Sequence, residues 1–498
     1  MTVVHALLVP AAILLVLTCW SARRAVRSSP VPAGPPRFPL VGNAFQLPVE
    51  RPWEKFAEWS KQYGDMVYLR VFNRSIIVLN SIEAAIELQD KRASVYSDRP
   101  RRVMAESGYG LVTTFRVRYD EAVKSAKKYL SSGFNKAAVQ SHAVIQEEAA
   151  RILCGMLRDD PERFLDHLRE ITISTIRTIV YGTHLQSSST AAYEELLRDV
   201  LAQFTKMASP SKYLVDTFPI LRYVPAWFPG AQFQREAAHN RSQIDRFMTD
   251  PFMEVKTQLV RTIERQSFLS SILRKEQSST GEEETIKFAA GSAFGAGFET
   301  TVALLSAFFM AMVLNPSAQS RAQEEIDRVV GRGNTPGSRH RASLPFVECI
   351  IAEVLRWRPP VPFAWRCSRV DDQYRGYTIP AGTLVTVNVR GLTHNSSSYP
   401  CPDDFKPERF MDPEGKYSTQ LVPDPRRFVF GFGRRSCPGV HVADSFLYIV
   451  IVTVLASFTI SPALDEDGRH VLPDSNYSSG LGGICQPPPF KCRIVPRC

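Results

Sequence analysis

The stretch of this chain that most restricts its folding is 288–314, in which Glu299 is the only charged residue. It continues a helical pattern that begins near Glu284 and ends at the helix-breaking pair Asn315-Pro316. A helix this apolar must be shielded from water by a protein core or by a membrane. Because 498 residues can supply a large core, we predict a buried central helix over 284–314. The alternative is a second membrane span with a functional acid inside it.

Three glycines, Gly291, Gly295 and Gly297, lie inside this predicted helix. Each glycine in a helix interior costs about 1 kcal/mol relative to alanine, so their presence needs a structural reason. We expect a flat group to approach the helix backbone closely at these positions. The alternative is a packing face of small residues against other helices.

The amino terminus predicts a membrane anchor. Residues 3–20 are an uncharged, mostly apolar run of 18 residues, which as a helix spans about 27 Å, close to the thickness of an endoplasmic reticulum bilayer. Arg23, Arg24 and Arg27 follow this run instead of preceding it. This order favours a retained transmembrane helix, 1–22, over a cleaved signal peptide, and it predicts that the rest of the chain is cytosolic.

The remainder divides into a short hinge and one large domain. Five prolines between residues 30 and 39 forbid helix and favour a stiff, extended segment, so we predict a basic, proline-rich hinge over 23–43. No Pro/Gly/Ser-rich break divides 44–498. Helical patterns dominate that domain, as over 138–157, 193–207 and 440–455, and the strand-like stretches are 66–79, 374–389 and 471–495. This predicts a mainly α-helical fold with small β-sheets.

Charge and cysteine content narrow the partners and the compartment. The net charge of +10 favours an acidic partner such as anionic lipid, an acidic protein or nucleic acid. Arginine clusters interleaved with aromatic residues, typical of nucleic-acid binding, are not evident in the sequence, so we expect no nucleic-acid partner. Nine widely spaced cysteines, an odd number, indicate mostly reduced thiols that face the cytosol.

One of these cysteines, Cys437, lies in the glycine-rich segment 430–439. Glycines on both sides allow the backbone to fold tightly around the sulfur, and we expect the positive charge of Arg435 to favour thiolate over thiol. The apolar helical pattern that begins at Val440 places Cys437 just before a helix amino terminus, which also favours the anion. This setting favours a functional thiolate over an inert buried thiol.

The spacing Phe430-x-x-Gly433-x-Arg435-x-Cys437-x-Gly439 resembles the haem-binding loop of the cytochrome P450 family at every fixed position. The resemblance implies the cytochrome P450 fold, with 44–498 as a single haem-thiolate catalytic domain behind one transmembrane helix. It also implies haem b with Cys437 as the axial iron ligand. The other fixed residues would then contact the cofactor.

Two further segments resemble a structural network of the same family. Glu353-Val354-Leu355-Arg356 resembles its Glu-x-x-Arg pair, whose spacing places both charges on one helical face. Pro407-Glu408-Arg409-Phe410 resembles the segment whose arginine completes the network. The resemblance therefore implies that Glu353, Arg356 and Arg409 contact one another.

The segment Ala296-Gly297-Phe298-Glu299-Thr300-Thr301 resembles the oxygen-activation motif of the family. The resemblance implies catalytic roles for Glu299 as the acid and Thr300 as the hydroxyl, with Gly297 next to the cofactor. Threonine can divert hydrogen bonds of its own helix.

The chain departs from the family pattern at two places. Val123 and Lys127 replace a tryptophan and an arginine that contact haem propionates, and Arg366 occupies the place of a histidine. Lysine can pair with a propionate, although without the fork of arginine. We expect Arg435 and Arg366 to be the main propionate partners, so that haem binding is weakened or the altered wall serves a substrate.

The resemblance implies a monooxygenase that inserts one oxygen atom from O2 into a hydrophobic small molecule by hydroxylation or epoxidation. The segments 218–230 and 489–492 resemble microsomal enzymes of basidiomycetes, which act mostly on terpenoid or aromatic and indole scaffolds in secondary metabolism. The implied location is the endoplasmic reticulum membrane, with a cytosolic catalytic domain. Candidate pocket residues by position are Phe294, Phe298, Phe363 and Leu481, and Trp227 and Phe228 are candidate membrane anchors.

No strand-linked Gly-x-Gly-x-x-Gly is present in the sequence, so NADPH and flavins are expected on a separate cytochrome P450 reductase. A candidate basic docking face consists of Lys124, Lys127, Lys128, Arg426, Arg427 and Arg434.

Two alternatives stay open. One is a haem-thiolate isomerase or dehydratase that needs no reductase, which the Glu299-Thr300 pair disfavours. The other is a non-catalytic haem-binding membrane protein, suggested only by the missing tryptophan.

Overall fold

Helices dominate the computed structural model of the chain, which describes residues 30–109, 118–182, 190–208, 212–260, 266–275, 280–474 and 483–497. The predicted anchor, 1–22, and the first part of the hinge, 23–29, lie outside the described residues. The mainly α-helical fold with small sheets is confirmed for the described part of the chain.

The α-helices of the described residues are α1 (Pro52–Tyr63), α2 (Ile82–Ala85), α3 (Val103–Tyr109), α4 (Glu121–Phe134), α5 (Lys136–Asp159), α6 (Phe164–Tyr181), α7 (Thr190–Ala208), α8 (Leu214–Thr217), α9 (Gln232–Val260), α10 (Phe268–Lys275), α11 (Thr280–Leu314), α12 (Pro316–Val330), α13 (Pro345–Trp357), α14 (Val389–Thr393), α15 (Arg426–Val429) and α16 (Val440–Ser457). The predicted helices over 138–157, 193–207, 284–314 and 440–455 lie within α5, α7, α11 and α16. Apolar periodicity indicated α5 and α7, whereas α11 and α16 were indicated by long runs that are apolar on every face.

The described strands form three small sheets, and the strands are β1 (Met66–Val71), β2 (Arg74–Leu79), β3 (Phe363–Cys367), β4 (Asp372–Tyr374), β5 (Tyr377–Ile379), β6 (Leu384–Asn388), β7 (Phe458–Leu464), β8 (His470–Val471) and β9 (Cys492–Pro496). The largest sheet has the order β1-β2-β6-β3, in which β2 and β6 are parallel and the other pairs antiparallel. The other two are the hairpin β4-β5 and the sheet β8-β7-β9.

Two of the three strand-like stretches contain the strands that we predicted, and the third is only partly correct. The stretch 66–79 is the β1-β2 hairpin, and 374–389 contains β5 and β6. Of 471–495, only the two ends are strand, and residues 475–482 lie outside the described part of the chain. The prolines Pro487, Pro488 and Pro489 precede β9 and have no N–H to donate to a ladder.

The helix α11 lies in the core. Its apolar window is 78% buried inside the protein, because α11 packs against α4, α6 and α9 and against β7. Among the described residues, α11 and α16 are the helices long and apolar enough to cross a membrane, and both are mostly buried. The core position of α11 supports the first interpretation of 284–314 over the alternative of a second span.

The glycines of α11 face side chains of neighbouring helices. A side chain at Gly291 would collide with Met248 Sδ on α9, one at Gly297 would lie 3.0 Å from Ile176 Cδ1 on α6, and one at Gly295 would contact Phe247 on α9. These glycines therefore allow neighbouring helices to approach α11. This supports a packing face of small residues, and the approach of a flat group to the helix backbone stays a prediction.

The described part of the proline-rich hinge is extended and is hydrogen-bonded both to the β4-β5 hairpin and to the large sheet. Pro30 O accepts a hydrogen bond from Thr378 N at 2.9 Å, and Ala33 O accepts one from Tyr68 N at 2.9 Å. The missing side chain of Gly34 leaves room for the Tyr68 carbonyl. The segment from residue 30 onward is thus held against β1 and does not act as a free spacer.

Candidate functional site

The cysteine loop, residues 430–437, is closed by its own backbone. Cys437 N donates to Phe430 O at 2.8 Å, and Ser436 N donates to Gly433 O at 3.1 Å. Gly431 and Gly433 have φ values of +78° and +52°, which side chains other than glycine rarely adopt. A Cβ on Gly433 would also collide with the carbonyl of Gln89. The loop therefore needs glycine at 433 for both backbone conformation and space.

The Cys437 thiol is accessible, yet the protein surrounds it. Burial raises the pKa of the Cys437 thiol, while the Gly439 backbone N–H and the charge of Lys127 act in the opposite direction. This corrects the sequence argument, because burial outweighs the loop and the nearby cation is Lys127 instead of Arg435. A metal ion bound at this position would supply the positive charge that an anionic sulfur requires.

Such a metal must bring most of its own ligands. Among the described residues, no group of three or more His, Cys, Asp and Glu side chains could hold a metal ion. Iron in a porphyrin meets this condition, because the macrocycle supplies four nitrogens and the protein supplies an axial ligand.

Three arginines form a buried positive cluster near the cysteine loop. Arg366 is 5% exposed on β3, and burial together with the charges of Arg99 and Arg435 lowers its pKa to about 9. Burial and the charges of Arg435 and Arg102 likewise lower the pKa of Arg99 to about 9. Among the described residues, no carboxylate contributes to the pKa of Arg366. Buried cations that repel one another fit a ligand with carboxylates, such as the two propionates of haem.

Sequence reasoning missed Arg99. It lies in the run Arg99-Pro100-Arg101-Arg102, and no local spacing distinguishes it from the other arginines. Only the fold brings it next to Arg366 and Arg435. Arg435 itself donates from Nε to Ser97 O at 3.0 Å and lies 5.1 Å from the ring centre of Tyr119.

Lys127 on α4 points at the cysteine loop. Its Nζ lies 2.7 Å from Arg434 O, 3.3 Å from Ser436 Oγ and 3.5 Å from Gly433 O. Val123, one turn earlier on α4, is 5% exposed and part of the packed interior. The two departures from the family pattern thus have different surroundings, since Val123 packs and Lys127 donates hydrogen bonds.

On α11, Ala296 and Thr300 retain accessible surface one helical turn apart. Thr300 Oγ1 donates to Ala296 O at 2.9 Å, and Thr301 Oγ1 donates to Gly297 O at 2.6 Å. Glu299 follows on the next face, where burial raises the pKa of its carboxyl and Arg169 lowers it. The segment thus combines an accessible hydroxyl with an acid that burial favours in its protonated form.

The candidate pocket residues need correction. Phe294 and Phe298 are 0% and 5% exposed, and Phe294 stacks on Phe247 with ring centres 5.6 Å apart. Phe363 is 4% exposed and packs on Phe56 of α1 at 5.6 Å. These side chains are core, because they lie on the faces of α11 and β3 that neighbouring helices cover. Leu481 lies outside the described residues.

The three residues of the predicted structural network are in contact. Arg356 donates from Nε and Nη2 to the two carboxylate oxygens of Glu353 at 2.7 and 2.8 Å. Arg409 Nε donates to the same carboxylate at 3.1 Å, as does Lys406 N at 2.7 Å. Arg356 Nη1 also donates to the carbonyl oxygens of Thr393 and Pro402. The network therefore joins α13 to α14 and to the 400–409 segment.

Arg426 does not belong to the basic docking face. Its Nε donates to Asp444 Oδ1 at 2.7 Å, and its guanidinium also pairs with Glu348 and Asp424. These carboxylates raise the pKa of Arg426 although burial opposes them. Lys127 is likewise committed to the loop, which leaves Lys124, Lys128, Arg427 and Arg434 exposed.

An accessible cysteine sulfur in a tightly closed loop, beside a cationic cluster that fits two carboxylates, is an arrangement that fits a haem-thiolate site. The sequence model described as "Cytochrome P450" matches residues 32–491. Cytochrome P450 monooxygenase claR from Ampulloclitocybe clavipes is 37% identical over 483 residues, covering 95% of this chain and 87% of the relative. Cytochrome P450 monooxygenase 136 from Postia placenta is 36% identical, covering 97% and 91%. Cytochrome P450 monooxygenase COX2 from Coprinopsis cinerea is 35% identical, covering 95% and 90%.

The chain belongs to the cytochrome P450 family, and it is a monooxygenase like these basidiomycete relatives.

Proposed function

We propose that this protein inserts one oxygen atom from O2 into an apolar small molecule by hydroxylation or epoxidation, with Cys437 as the axial ligand of haem iron. The observation that carries this proposal is the Cys437 sulfur, which retains accessible surface within a loop closed by the Cys437 N to Phe430 O hydrogen bond. When bound, haem supplies the O2-activating chemistry. The protein supplies binding, orientation and protons.

Cofactor binding is divided between the loop and the arginines. Phe430, Gly433 and Gly439 shape the loop, and Gly439 also directs its N–H at the sulfur. Arg366 and Arg435 bind the propionates, with Arg99 as a third partner. The propionate carboxylates pair with the buried guanidinium groups and so offset their mutual repulsion. This pairing couples folding to haem binding.

Protons reach the reaction through Glu299 and Thr300. Thr300 Oγ1 donates to Ala296 O within its own helix, and rotation about the side-chain bond can turn the same hydroxyl toward a bound species. The raised pKa of Glu299 keeps a proton available closer to neutral pH than an exposed glutamate would. This pair distinguishes a monooxygenase from a haem-thiolate isomerase or dehydratase, which needs no proton delivery to O2.

The substrate is an apolar scaffold of fungal secondary metabolism, such as a terpenoid or an aromatic or indole compound. The accessible face of α11 carries the small side chains of Ala293, Ala296 and Thr300, which leave room for a rigid ring system. The basidiomycete origin of the relatives supports this class.

Electrons come from NADPH through the flavins of a membrane-bound cytochrome P450 reductase. The docking face comprises Lys124, Lys128, Arg427 and Arg434, which lie on the side of the molecule that carries α4 and the cysteine loop. Cationic side chains there attract an acidic partner and accelerate its association.

The protein is anchored in the endoplasmic reticulum membrane by 1–22, with the catalytic domain in the cytosol. Trp227 is 79% exposed and Phe228 49% exposed, and they follow the exposed Ile220 and Tyr223 in the same connection. Aromatic residues in this position favour the membrane interface, so this connection lies on the bilayer.

The proposal is tested by supplying isotopically labelled O2 and NADPH to the purified protein with a cytochrome P450 reductase and a panel of terpenoid and indole scaffolds. We expect one labelled oxygen atom in each product. Product formation without NADPH or reductase would contradict the proposal and favour the isomerase or dehydratase. The protein could bind haem and yet consume no more NADPH with any scaffold of the panel than without substrate. That result would contradict the proposed substrate class.

A further inference from the structure

Lys127 makes contacts that a propionate partner would not need. Its ammonium group offers three donors, and the structure places three acceptors around it, namely Arg434 O, Ser436 Oγ and Gly433 O. All three belong to the loop that ends at Cys437. The lysine therefore binds the loop directly, from a neighbouring helix that is more than 300 residues away along the chain.

Charge also directs Lys127 toward the sulfur. Burial is the largest factor that lowers the pKa of Lys127. The charges of Arg366 and Arg435 lower this pKa further, whereas the charge of Cys437 raises it. The arginine side of the site thus repels this ammonium group, and the loop side attracts it. The arginines already supply cations for two carboxylates.

We propose that Lys127 is a positioning residue of the cysteine loop, which holds the Gly433 and Arg434 carbonyls and the Ser436 hydroxyl and keeps a positive charge beside the thiolate. This inference rests on the proposed haem ligand, Cys437. It reassigns Lys127 from propionate binding, which belongs to Arg366, Arg435 and Arg99.

Two consequences distinguish the two roles of Lys127. A positive charge beside the iron ligand stabilises the reduced, more negative site, so removing it lowers the midpoint potential of the haem. Loss of the three loop contacts also leaves the backbone next to Cys437 less firmly positioned, so that part of the thiolate-type band is lost. A propionate partner, in contrast, would mainly control how fast haem leaves the protein.

The experiment compares Lys127→Met, Lys127→Arg and Arg366→Met in the full-length holoprotein. The matched control is Lys128→Met, which removes the same charge from an exposed position on the same helix. The measurements are the reduction potential, the Soret band of the chemically reduced carbon monoxide complex, and the rate of haem transfer to apomyoglobin. None of them needs the reductase.

We expect Lys127→Met to shift the one-electron equilibrium about tenfold toward the oxidised state, about 59 mV, and to lose part of the thiolate-type band. Lys127→Arg should keep the potential and the band of the parent, and Lys128→Met should change neither of these two quantities. Arg366→Met should accelerate haem transfer more than Lys127→Met does.

The inference is overturned if Lys127→Met matches Lys128→Met in potential and band, or if it releases haem as fast as Arg366→Met without a change in band. If Lys127→Met yields too little folded protein, Lys127→Arg alone decides. A Lys127→Arg protein with the potential and band of the parent supports a loop-bound cation, and a Lys127→Arg protein without the thiolate-type band overturns the inference. Failure of the proposed function would look different, because the parent protein would then lack the thiolate-type band.

Discussion

Glu353 and Arg356 lie one turn apart on α13 and form a two-bond ion pair in which neither side chain has any exposed surface. Two buried charges are stable only when further hydrogen bonds satisfy them. Arg409 Nε and the Lys406 backbone N–H both donate to Glu353. This arrangement holds the 400–409 segment, which precedes the cysteine loop in the chain, against α13.

Glu353→Gln should destabilise the protein by about 3–5 kcal/mol, because it leaves two buried guanidinium groups without their carboxylate. Chemical unfolding of the holoprotein, followed by far-ultraviolet circular dichroism, measures this loss. The control is Glu408→Gln, which removes an exposed partner of Arg321 in the neighbouring segment and should cost less than about 1 kcal/mol. Equal losses in the two variants would contradict a special role for the buried network.

Gly433→Ala should prevent stable haem binding. The substitution places a Cβ against the Gln89 carbonyl at a backbone φ of +52°, so both sterics and conformation oppose it. Gly468→Ala is the control, since Gly468 has a φ of +76° in the β7–β8 turn and open space around it. We expect this control to lose about 1–2 kcal/mol and to keep its haem content, measured as the absorbance ratio of haem to protein. Normal haem content in Gly433→Ala would refute the steric argument.

Thr300→Ala should uncouple NADPH consumption from product formation. Without the hydroxyl, protons are delivered less selectively and more reducing equivalents end as hydrogen peroxide. The ratio of product to NADPH should fall several-fold while the carbon monoxide spectrum stays unchanged. The neighbouring Thr301→Ala removes a buried hydroxyl that bonds Gly297 O and should leave this ratio near that of the parent. An unchanged ratio in Thr300→Ala would exclude the proposed role.

Glu299→Gln should change how stability depends on pH. Burial raises the pKa of Glu299 above its ordinary value of 4.5, so the folded state binds this proton more tightly than the unfolded state. The Glu299 contribution therefore favours folding at low pH and is lost as the pH rises from 4.5 through the raised pKa. Across that window the parent loses stability that Glu299→Gln keeps, because the amide does not ionise. Unfolding measured between about pH 4 and pH 8 tests this, with Glu284→Gln on the same helix as the control, and a pH-independent difference would contradict it.

Local patterns in the sequence predicted the secondary-structure elements and singled out the cysteine loop, while a role of that loop in binding iron was implied by the family resemblance. The α11 helix is visible because its apolar run is long, and the cysteine loop is visible because its residues are contiguous. The contact of Glu353 with Arg409 was accessible only through family resemblance, since 56 residues separate them.

The sequence was insufficient to predict surroundings where the neighbour of a residue is distant along the chain. Gly291 faces Met248 and Gly297 faces Ile176, and neither partner follows from the spacing of the glycines. Phe294 was assigned to a pocket by its position in the family pattern, whereas on α11 it faces α6 and α9, where Tyr181 and Phe247 contact its ring. Arg426 was assigned to the surface because its run is basic, although its carboxylate partners Glu348 and Asp444 bury it.

The bond between Cys437 and iron is the central claim, and the carbon monoxide difference spectrum of the reduced protein tests it most directly. The parent protein should show the Soret band typical of thiolate-ligated haem. Cys437→Ser should lose that band and all oxygen insertion, while Cys401→Ser, at an exposed cysteine outside the loop, should keep both. A Cys437→Ser protein that retains the thiolate-type band would contradict the account.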